Sequence, residues 1–312
     1  MAIIFTLLSM LMACGEDLLE KKVVTSKTEE VLKTLVWYGI FNIIVVCVVV
    51  AFGLEDTSLL PHELIAEKPV VILPAAFSCA VLLFSLTAYK YVGVSVKNSF
   101  ANVDGLFYIV LLMIFYLVTG KASFAIRLFT PSAIIGVVLV VTAAIVYPNL
   151  KVSRAEAEEE LNTDNKGKRA LILGIVFALL AAFCDGSESL TSSYLIGDDV
   201  VDSMDYIGAV ALVQAGIGFL IWIVLSIHSK KIYNPFRKNE RIRCLSQMLS
   251  LAADVLYVFA LSDDALIGVI LWNAFPILDI LAARIFFKEK LTRNQYIVLF
   301  TLLAGAVLVS LA

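Results

Sequence analysis

The sequence is poor in charge and in the residue patterns from which disulfide frameworks and metal sites are built. Only 16% of its 312 residues are Asp, Glu, Lys or Arg, against about 25% in an average globular protein. It has two histidines, and its five cysteines are scattered without a CxxC spacing. We therefore expect no disulfide framework, no metal site and no cofactor. A GxxxxGK[ST] loop is absent, so direct use of ATP is not expected, and the net charge of −3 argues against a nucleic-acid partner.

Apolar residues replace the missing charge. Hydrophobic side chains make up 61% of the chain, and the mean hydropathy is +0.93. Soluble domains are usually about 45–50% apolar, so an ordinary soluble protein is excluded. A membrane-spanning helix needs roughly 20 apolar residues, and this composition supplies on the order of ten of them. The fold class that we predict is an all-α integral membrane protein.

Ten candidate spans follow from length and charge. Five long stretches are free of charged residues, at 34–54, 69–89, 128–150, 206–229 and 294–312. Five more are apolar but carry charges, at about 2–19, 93–120, 170–196, 244–262 and 265–287. Residues 2–13 with Cys14 resemble a lipoprotein signal, but no Lys or Arg precedes Lys21, so we interpret 2–20 as the first span.

Basic residues are distributed very unevenly between the connections. The connections after odd-numbered spans, including residues at the span ends, carry 21 Lys and Arg, and those after even-numbered spans carry 3. Because basic connections stay in the cytoplasm, we predict that the odd connections are cytoplasmic and both termini extracytoplasmic. The compact loops and the absence of an ER-retrieval tail favour the bacterial inner membrane, that is, the plasma membrane.

The two halves of the chain resemble each other. Residues 93–104 align without gaps on 268–279 and share Gly, Val, Asn, Phe and Asp. A second alignment, of Phe5-Thr-Leu-Leu on Phe177-Ala-Leu-Leu, places Glu16 opposite Glu188. Each half has five spans. Because this number is odd, the second half has the opposite orientation in the membrane. We predict two inverted five-helix repeats, at 1–150 and 170–312, joined by a charged cytoplasmic linker at 151–169. Inverted repeats are typical of secondary transporters, with the substrate site near the midplane.

Ionisable residues inside the spans are the candidate site, because a charge at mid-bilayer costs about 2.5–3.5 kcal/mol. Asp104 and Asp279 each lie eleven residues after a repeated glycine, about 16 Å along a helix, near the membrane centre. Such a carboxylate pair can hold an amine or accept a proton. The alternative is that each aspartate hydrogen-bonds a neighbouring helix or pairs with a base such as Lys97 or Arg284.

Further candidates come with their own alternatives. Asn98 and Asn273 point away from the aspartates and are equally suited to interhelical hydrogen bonding. Trp272, which occupies the repeat position of Lys97, either presents its ring to a cation or fills space. Glu16 and Glu188 form a second repeated acid pair, although Glu16 is near enough to a span end to reach water. Further acid comes from Asp17, Asp185 and Asp254. We expect a polar interior lined by spans 1, 4, 6, 8 and 9, with the charge-free spans facing lipid.

The C-terminal half resembles a known family. The similarity is to the ninth and tenth helices of the drug/metabolite transporter superfamily, in particular its EamA-like members. It lies in the segment from Asn273 through Pro276 to Glu289-Lys-Leu291-Thr292 and in the following span, which contains Gly305. The first half departs from this pattern, since Ala101 stands where proline is expected. The resemblance implies alternating access, with helices 1, 3, 4, 6, 8 and 9 around a central cavity. It also implies proton or cation coupling for Glu16, whose position is similar to that of the first-helix glutamate of small multidrug-resistance members.

These observations together predict a secondary active transporter rather than an enzyme. We expect it to export a small polar metabolite, such as an amino acid or an organic cation, with protons as the candidate coupling ion. Its partners are then the small-molecule substrate and the lipid bilayer, and we expect a monomer or a weak homodimer. The alternatives are a membrane enzyme acting on a lipid or prenyl substrate, and a sensor that binds a ligand without moving it.

Overall fold

The computed structural model describes residues 1–23, 28–52, 60–91, 104–120, 130–146, 165–197, 200–237, 240–272, 275, 278, 282, 285 and 293–310. This part of the chain is 91% helical and contains no strand, which confirms the all-α fold class. Its continuous α-helices are α1 (Ala2–Val23), α2 (Thr28–Phe52), α3 (Pro61–Glu67), α4 (Ile72–Ala88), α5 (Asp104–Thr119), α6 (Pro131–Val146), α7 (Asn165–Gly197), α8 (Ser203–Ser229), α9 (Arg241–Trp272) and α10 (Arg293–Ser310). The last residues of the predicted linker 151–169 are therefore already helical.

Six helical stretches in the described residues are long and apolar enough to cross a membrane. They are Ala2–Glu20, Glu29–Ala51, Pro69–Ala88, Ile172–Ile196, Ser203–His228 and Arg241–Ala265. They coincide with predicted spans 1, 2, 3, 6, 7 and 8. The apolar part of α5, Phe107–Thr119, is shorter. The protein is thus a multi-pass membrane protein, while the count of ten spans and the inverted repeat stay predictions.

Helix α9 is interrupted at a single aspartate. Asp264 has φ −160° and ψ 100°, which is extended rather than helical backbone. Its side-chain Oδ1 accepts a hydrogen bond of 3.0 Å from the backbone N–H of Ile267, as a helix N-cap does. One helix therefore ends here and another begins, at the boundary expected between the eighth and ninth spans.

The helices pack in a regular set of pairs. α1 lies along α9 and α4 along α7, whereas α2 packs on α8 and α6 on α10. At the α2–α8 crossing, a Cβ atom on Gly39 would lie 2.7 Å from the Cα of Gly218, and one on Gly218 would lie 2.6 Å from the Cα of Gly39. Glycine at both positions lets the two backbones touch, as in other close helix crossings in membranes.

The two ends of the helix bundle differ in character. At one end, a cluster of buried apolar side chains joins α3, α5, α7, α8 and α9, and includes Leu64, Tyr108, Leu195, Tyr206 and Leu261. This end carries the connections that are predicted to be extracytoplasmic. The other end holds a buried group of charged side chains around Arg243. The candidate site lies between them.

Candidate functional site

A cavity of about 200 Å³ lies between helices α1, α2, α4, α5, α7 and α9. Seven carboxyl side chains line it: Glu16, Asp17 and Glu20 from α1, Asp104 from α5, Asp185 and Glu188 from α7, and Asp254 from α9. Among the described lining residues there is no lysine, arginine or histidine. The cavity therefore concentrates acidic side chains within a protein that has few charges.

Helical periodicity brings these acids onto the cavity. On α1, Ala13, Glu16, Asp17 and Glu20 follow the i, i+3, i+4, i+7 spacing that places side chains on one helix face. The same spacing relates Asp185, Glu188 and Ser189 on α7, and Ser250, Asp254 and Tyr257 on α9. Three helices thus each direct a polar stripe inward, while their other faces are apolar.

Asp104 and Asp185 are hydrogen-bonded to each other. This contact depends on Gly186, because a Cβ atom there would lie 2.8 Å from the carbonyl oxygen of Asp104 and 2.8 Å from the backbone nitrogen of Tyr108. The first turn of α5 therefore lies directly against α7. A carboxylate has no proton to donate, so two carboxyl groups placed this close are suited to holding a proton between them.

A chain of hydroxyl groups connects Asp254 with Glu188. The Tyr38 hydroxyl donates to Asp254 Oδ2 over 2.9 Å, and the Tyr38 and Ser78 oxygens are 3.0 Å apart. The Ser78 side chain in turn hydrogen-bonds Glu188. Tyr38 belongs to span 2 and Ser78 to span 3, so the prediction that these charge-free spans face only lipid is wrong. Counting charges overlooks hydroxyl groups, which are polar without being ionised.

An aromatic wall closes another side of the cavity. The Trp272 ring lies between Tyr257 and Phe275, with ring centroids 5.0 Å and 5.4 Å away, and it is stacked on Phe275. All three side chains line the cavity. Trp272 therefore both packs against its neighbours and borders the carboxylates. Both predicted roles, presenting its ring to a cation and filling space, are compatible with this position.

Four of the eight candidate residues from the sequence, Glu16, Asp104, Glu188 and Trp272, line this one cavity. Glu16 is hydrogen-bonded by the side chain of Ser250 on α9, so it points into the protein. The other four, Lys97, Asn98, Asn273 and Asp279, lie outside the described residues, as does Arg284. The pairing of Asp104 with Asp279, and the functional role of every candidate residue, stay predictions.

The sequence reasoning missed several residues of the site. Glu20 lines the cavity and accepts a hydrogen bond of 3.0 Å from Gln247 Nε2 on α9, and its i+4 spacing from Glu16 was a signal for it. Tyr38, Ser78 and Gly186 had no such signal, because each acts through a contact with a distant helix. Within the described residues, no three His, Cys, Asp or Glu side chains are arranged to hold a metal ion.

Comparisons with known proteins agree with this architecture. Residues 172–311 match the model of the EamA-like transporter family, which confirms the resemblance seen in the C-terminal half. A crystal structure of another protein superimposes with a TM-score of 0.65 at 13% sequence identity, covering 99% of this chain and 96% of that one. Such an identity shows the fold alone, and comparison with curated protein sequences gives no significant match. The chain is a multi-pass membrane protein, and its residues 172–311 are similar to the EamA-like transporter family.

Proposed function

We propose that this protein is a secondary active transporter that exports a small organic cation or a zwitterion such as an amino acid. The observation that carries the proposal is the cavity, in which seven carboxyl groups meet without a basic residue among the described lining residues. Buried charge of one sign is costly, and protons or a bound cation would balance it. A substrate with an ammonium group supplies that balance.

The aromatic wall suits the same class of substrate. The ring faces of Trp272 and Phe275 border the carboxylates, and aromatic faces attract organic cations. A quaternary ammonium or a primary amine would thus meet negative charge on one side and π electrons on the other. An anion would meet neither, so phosphorylated metabolites are poor candidates.

The proximity of Asp104 and Asp185 in the cavity supports proton coupling. When a cationic group enters the cavity, it competes with protons for the same carboxyl groups. Binding then releases protons, and protonation releases substrate. This competition is the basis of antiport, in which an inward proton gradient drives the cation outward.

The packing pattern supports alternating access by inverted repeats. Suppose that the five spans of one half correspond, in order, to the five spans of the other. A two-fold rotation that exchanges the halves then maps the pair α1–α9 onto the pair α7–α4, and it maps each of the pairs α2–α8 and α6–α10 onto itself. The observed pairs are thus those that a two-fold relation between the halves would produce. The apolar cluster covers the extracytoplasmic end in the predicted orientation, while Glu16, Asp17 and Glu20 extend the cavity towards the cytoplasmic end. We assign this arrangement to a cytoplasm-facing state of a bacterial inner-membrane protein.

The first test is a melting-temperature screen of the purified protein against amino acids, polyamines, quaternary ammonium ions and, as a contrast, nucleotide sugars. A ligand at a hundred times its Kd stabilises the folded state by about 2.7 kcal/mol. We expect a shift from cations or zwitterions, and its loss in the Asp104→Asn variant. Glu67→Gln, which removes an exposed carboxylate outside the cavity, is the matched control.

Transport is then measured in proteoliposomes as counterflow of the ligand found in the screen. Flux that depends on an imposed pH gradient supports antiport. Binding without counterflow would point to a sensor, and stabilisation only by prenyl or lipid compounds would point to a membrane enzyme. Stabilisation by anionic metabolites alone would overturn the proposal.

A further inference from the structure

A second cavity lies on the outside of the bundle and shares no residue with the carboxylate cavity. It is a groove of about 490 Å³ between α2, α8 and the segment 230–237 that follows α8. Its lining includes Gly39, Ile43, Gly218, Phe219, Trp222 and Phe236. Almost all of these side chains are apolar, and several that are large are exposed, including Ile43 and Phe219.

The groove exists because its floor has no side chains. Gly39 and Gly218 bring the backbones of α2 and α8 into contact at the crossing. The neighbouring side chains Ile40 and Phe219 stand beside this floor as walls. A narrow apolar channel on the membrane face of a helix pair has the shape and chemistry of an acyl-chain site.

The segment 230–237 is folded back towards α8. Lys230 has a left-handed backbone, with φ 52°, which ends the helix. The indole nitrogen of Trp222 then donates to the carbonyl oxygen of Tyr233 over 2.9 Å, and the Tyr233 N–H donates to Ser226 Oγ over 3.3 Å. These bonds fix a segment whose apolar side chains Ile232 and Phe236 are 76% and 78% exposed.

Exposed basic residues alternate with these exposed apolar ones. Lys230, Lys231 and Arg237 are exposed, and the sequence from 229 to 239 contains no acid. Apolar side chains that enter the acyl boundary, next to basic side chains at headgroup level, are typical of segments that bind anionic membrane surfaces. The segment also belongs to the most basic of the connections predicted to be cytoplasmic, where anionic lipids attract such residues.

We propose that the groove binds an anionic phospholipid. One acyl chain lies over Gly39 and Gly218, and the phosphate of the headgroup is contacted by Lys230, Lys231 and Arg237. The site is independent of the transported substrate. It stabilises the α2–α8 pair from the lipid side and makes the folded protein sensitive to the charge of the surrounding lipid.

Lipid preference in detergent tests this site. Purified protein is titrated with phosphatidylglycerol and, separately, with phosphatidylcholine of the same acyl chains, and melting temperature reports binding. We expect phosphatidylglycerol to bind at least tenfold more tightly. The Lys230→Gln, Lys231→Gln, Arg237→Gln triple variant should lose this preference, whereas Arg293→Gln, at the exposed start of α10, should keep it. Equal affinity for the two lipids, or an unchanged preference in the triple variant, would overturn the proposal.

Fluorescence locates the acyl chain without removing any basic residue. Phosphatidylglycerol with brominated acyl chains should quench tryptophan emission, and the Trp222→Phe variant should show a smaller quenched fraction than the unmodified protein. The same quenched fraction in both would place the lipid elsewhere and overturn the assignment to this groove. A dimer that hides Trp222 from brominated lipid would assign the groove to a second copy of the chain, which also overturns it.

Discussion

The central cavity and the charged cluster around Arg243 both bury acidic side chains, but they balance the charge differently. In the cluster, the Arg243 guanidinium donates to Glu30, to Glu240 and to Thr34 Oγ1, the last over 3.1 Å. Lys33 adds contacts of 3.0 Å to Glu30 and 3.2 Å to Glu29. In the cavity, seven carboxyl groups are arranged without a basic residue among the described lining residues.

This difference separates structural acids from candidate functional acids. Glu30 and Glu240 have a permanent partner in Arg243, so their charges are neutralised within the fold and link α2 to α9. No lysine, arginine or histidine stands among the described residues that line the cavity, so we expect protons or a cationic ligand to compensate its acids. On this view the same residue type contributes to stability at one end of the bundle and to binding at its centre.

The largest effect is expected where a permanent partner is removed. Arg243→Gln leaves the buried Glu240 without its guanidinium partner and Glu30 with Lys33 alone, and breaking a buried ion pair in this way costs roughly 3 kcal/mol. Arg243 is 3% exposed, so water cannot replace it. The melting temperature in detergent should fall sharply. The control is Arg241→Gln, two residues earlier and exposed, which should change stability by less than about 0.5 kcal/mol. An equal fall in melting temperature in both variants would contradict the distinction between the charged cluster and the cavity.

A smaller effect is expected at the glycine that joins the two aspartates. In Gly186→Ala, the added methyl group would approach backbone atoms of Asp104 and Tyr108 to 2.8 Å, so α5 must move away from α7. Overpacking of this kind costs about 1–3 kcal/mol. Ligand binding should weaken as well, because Asp104 and Asp185 separate.

The matched control is Gly216→Ala on α8, where a Cβ atom would have no neighbour within 4 Å. Replacing an unhindered helical glycine by alanine is expected to stabilise a helix by roughly 0.5–1 kcal/mol. Thermal melting of the two variants should therefore move in opposite directions. Two shifts of the same sign would show that close packing at Gly186 is not what holds α5 in place.

In the cavity itself, removing an acid should affect binding and leave the fold intact. Asp254→Asn keeps the shape of the side chain and removes one of several like charges, so stability without ligand should be unchanged or higher. Affinity for a cationic ligand should fall by about tenfold or more, equivalent to about 1.4 kcal/mol. Melting curves with and without ligand measure both quantities. A variant that is destabilised but binds normally would place Asp254 with the structural acids.

Sequence patterns predicted the local part of this picture. Apolar run length indicates where α1, α2, α4, α7, α8 and α9 cross the membrane, and ionisable residues inside spans indicated six of the seven acids that line the cavity. Contacts between distant helices had no comparable signal. The hydrogen bond of Asp104 to Asp185 requires the packing of α5 on α7, and the positions of Tyr38 and Ser78 require α2 and α4 to meet α7 and α9. Each of these contacts depends on tertiary packing, which cannot be predicted from the periodicity of a single segment.

The smallest effect is expected at Tyr38, and it tests whether the hydroxyl chain belongs to the cavity acids. Tyr38→Phe removes the hydrogen bond to Asp254 and the contact with Ser78, and a net loss of about 1 kcal/mol in ligand binding is expected. If the hydroxyl acts through Asp254, the same change in the Asp254→Asn background should have a smaller effect, which a double-mutant cycle measures. Tyr91→Phe, at an exposed tyrosine beyond α4, should have no effect in either background. Because phenylalanine keeps the ring, additive effects of Tyr38→Phe and Asp254→Asn would mean that the Tyr38 hydroxyl acts independently of Asp254.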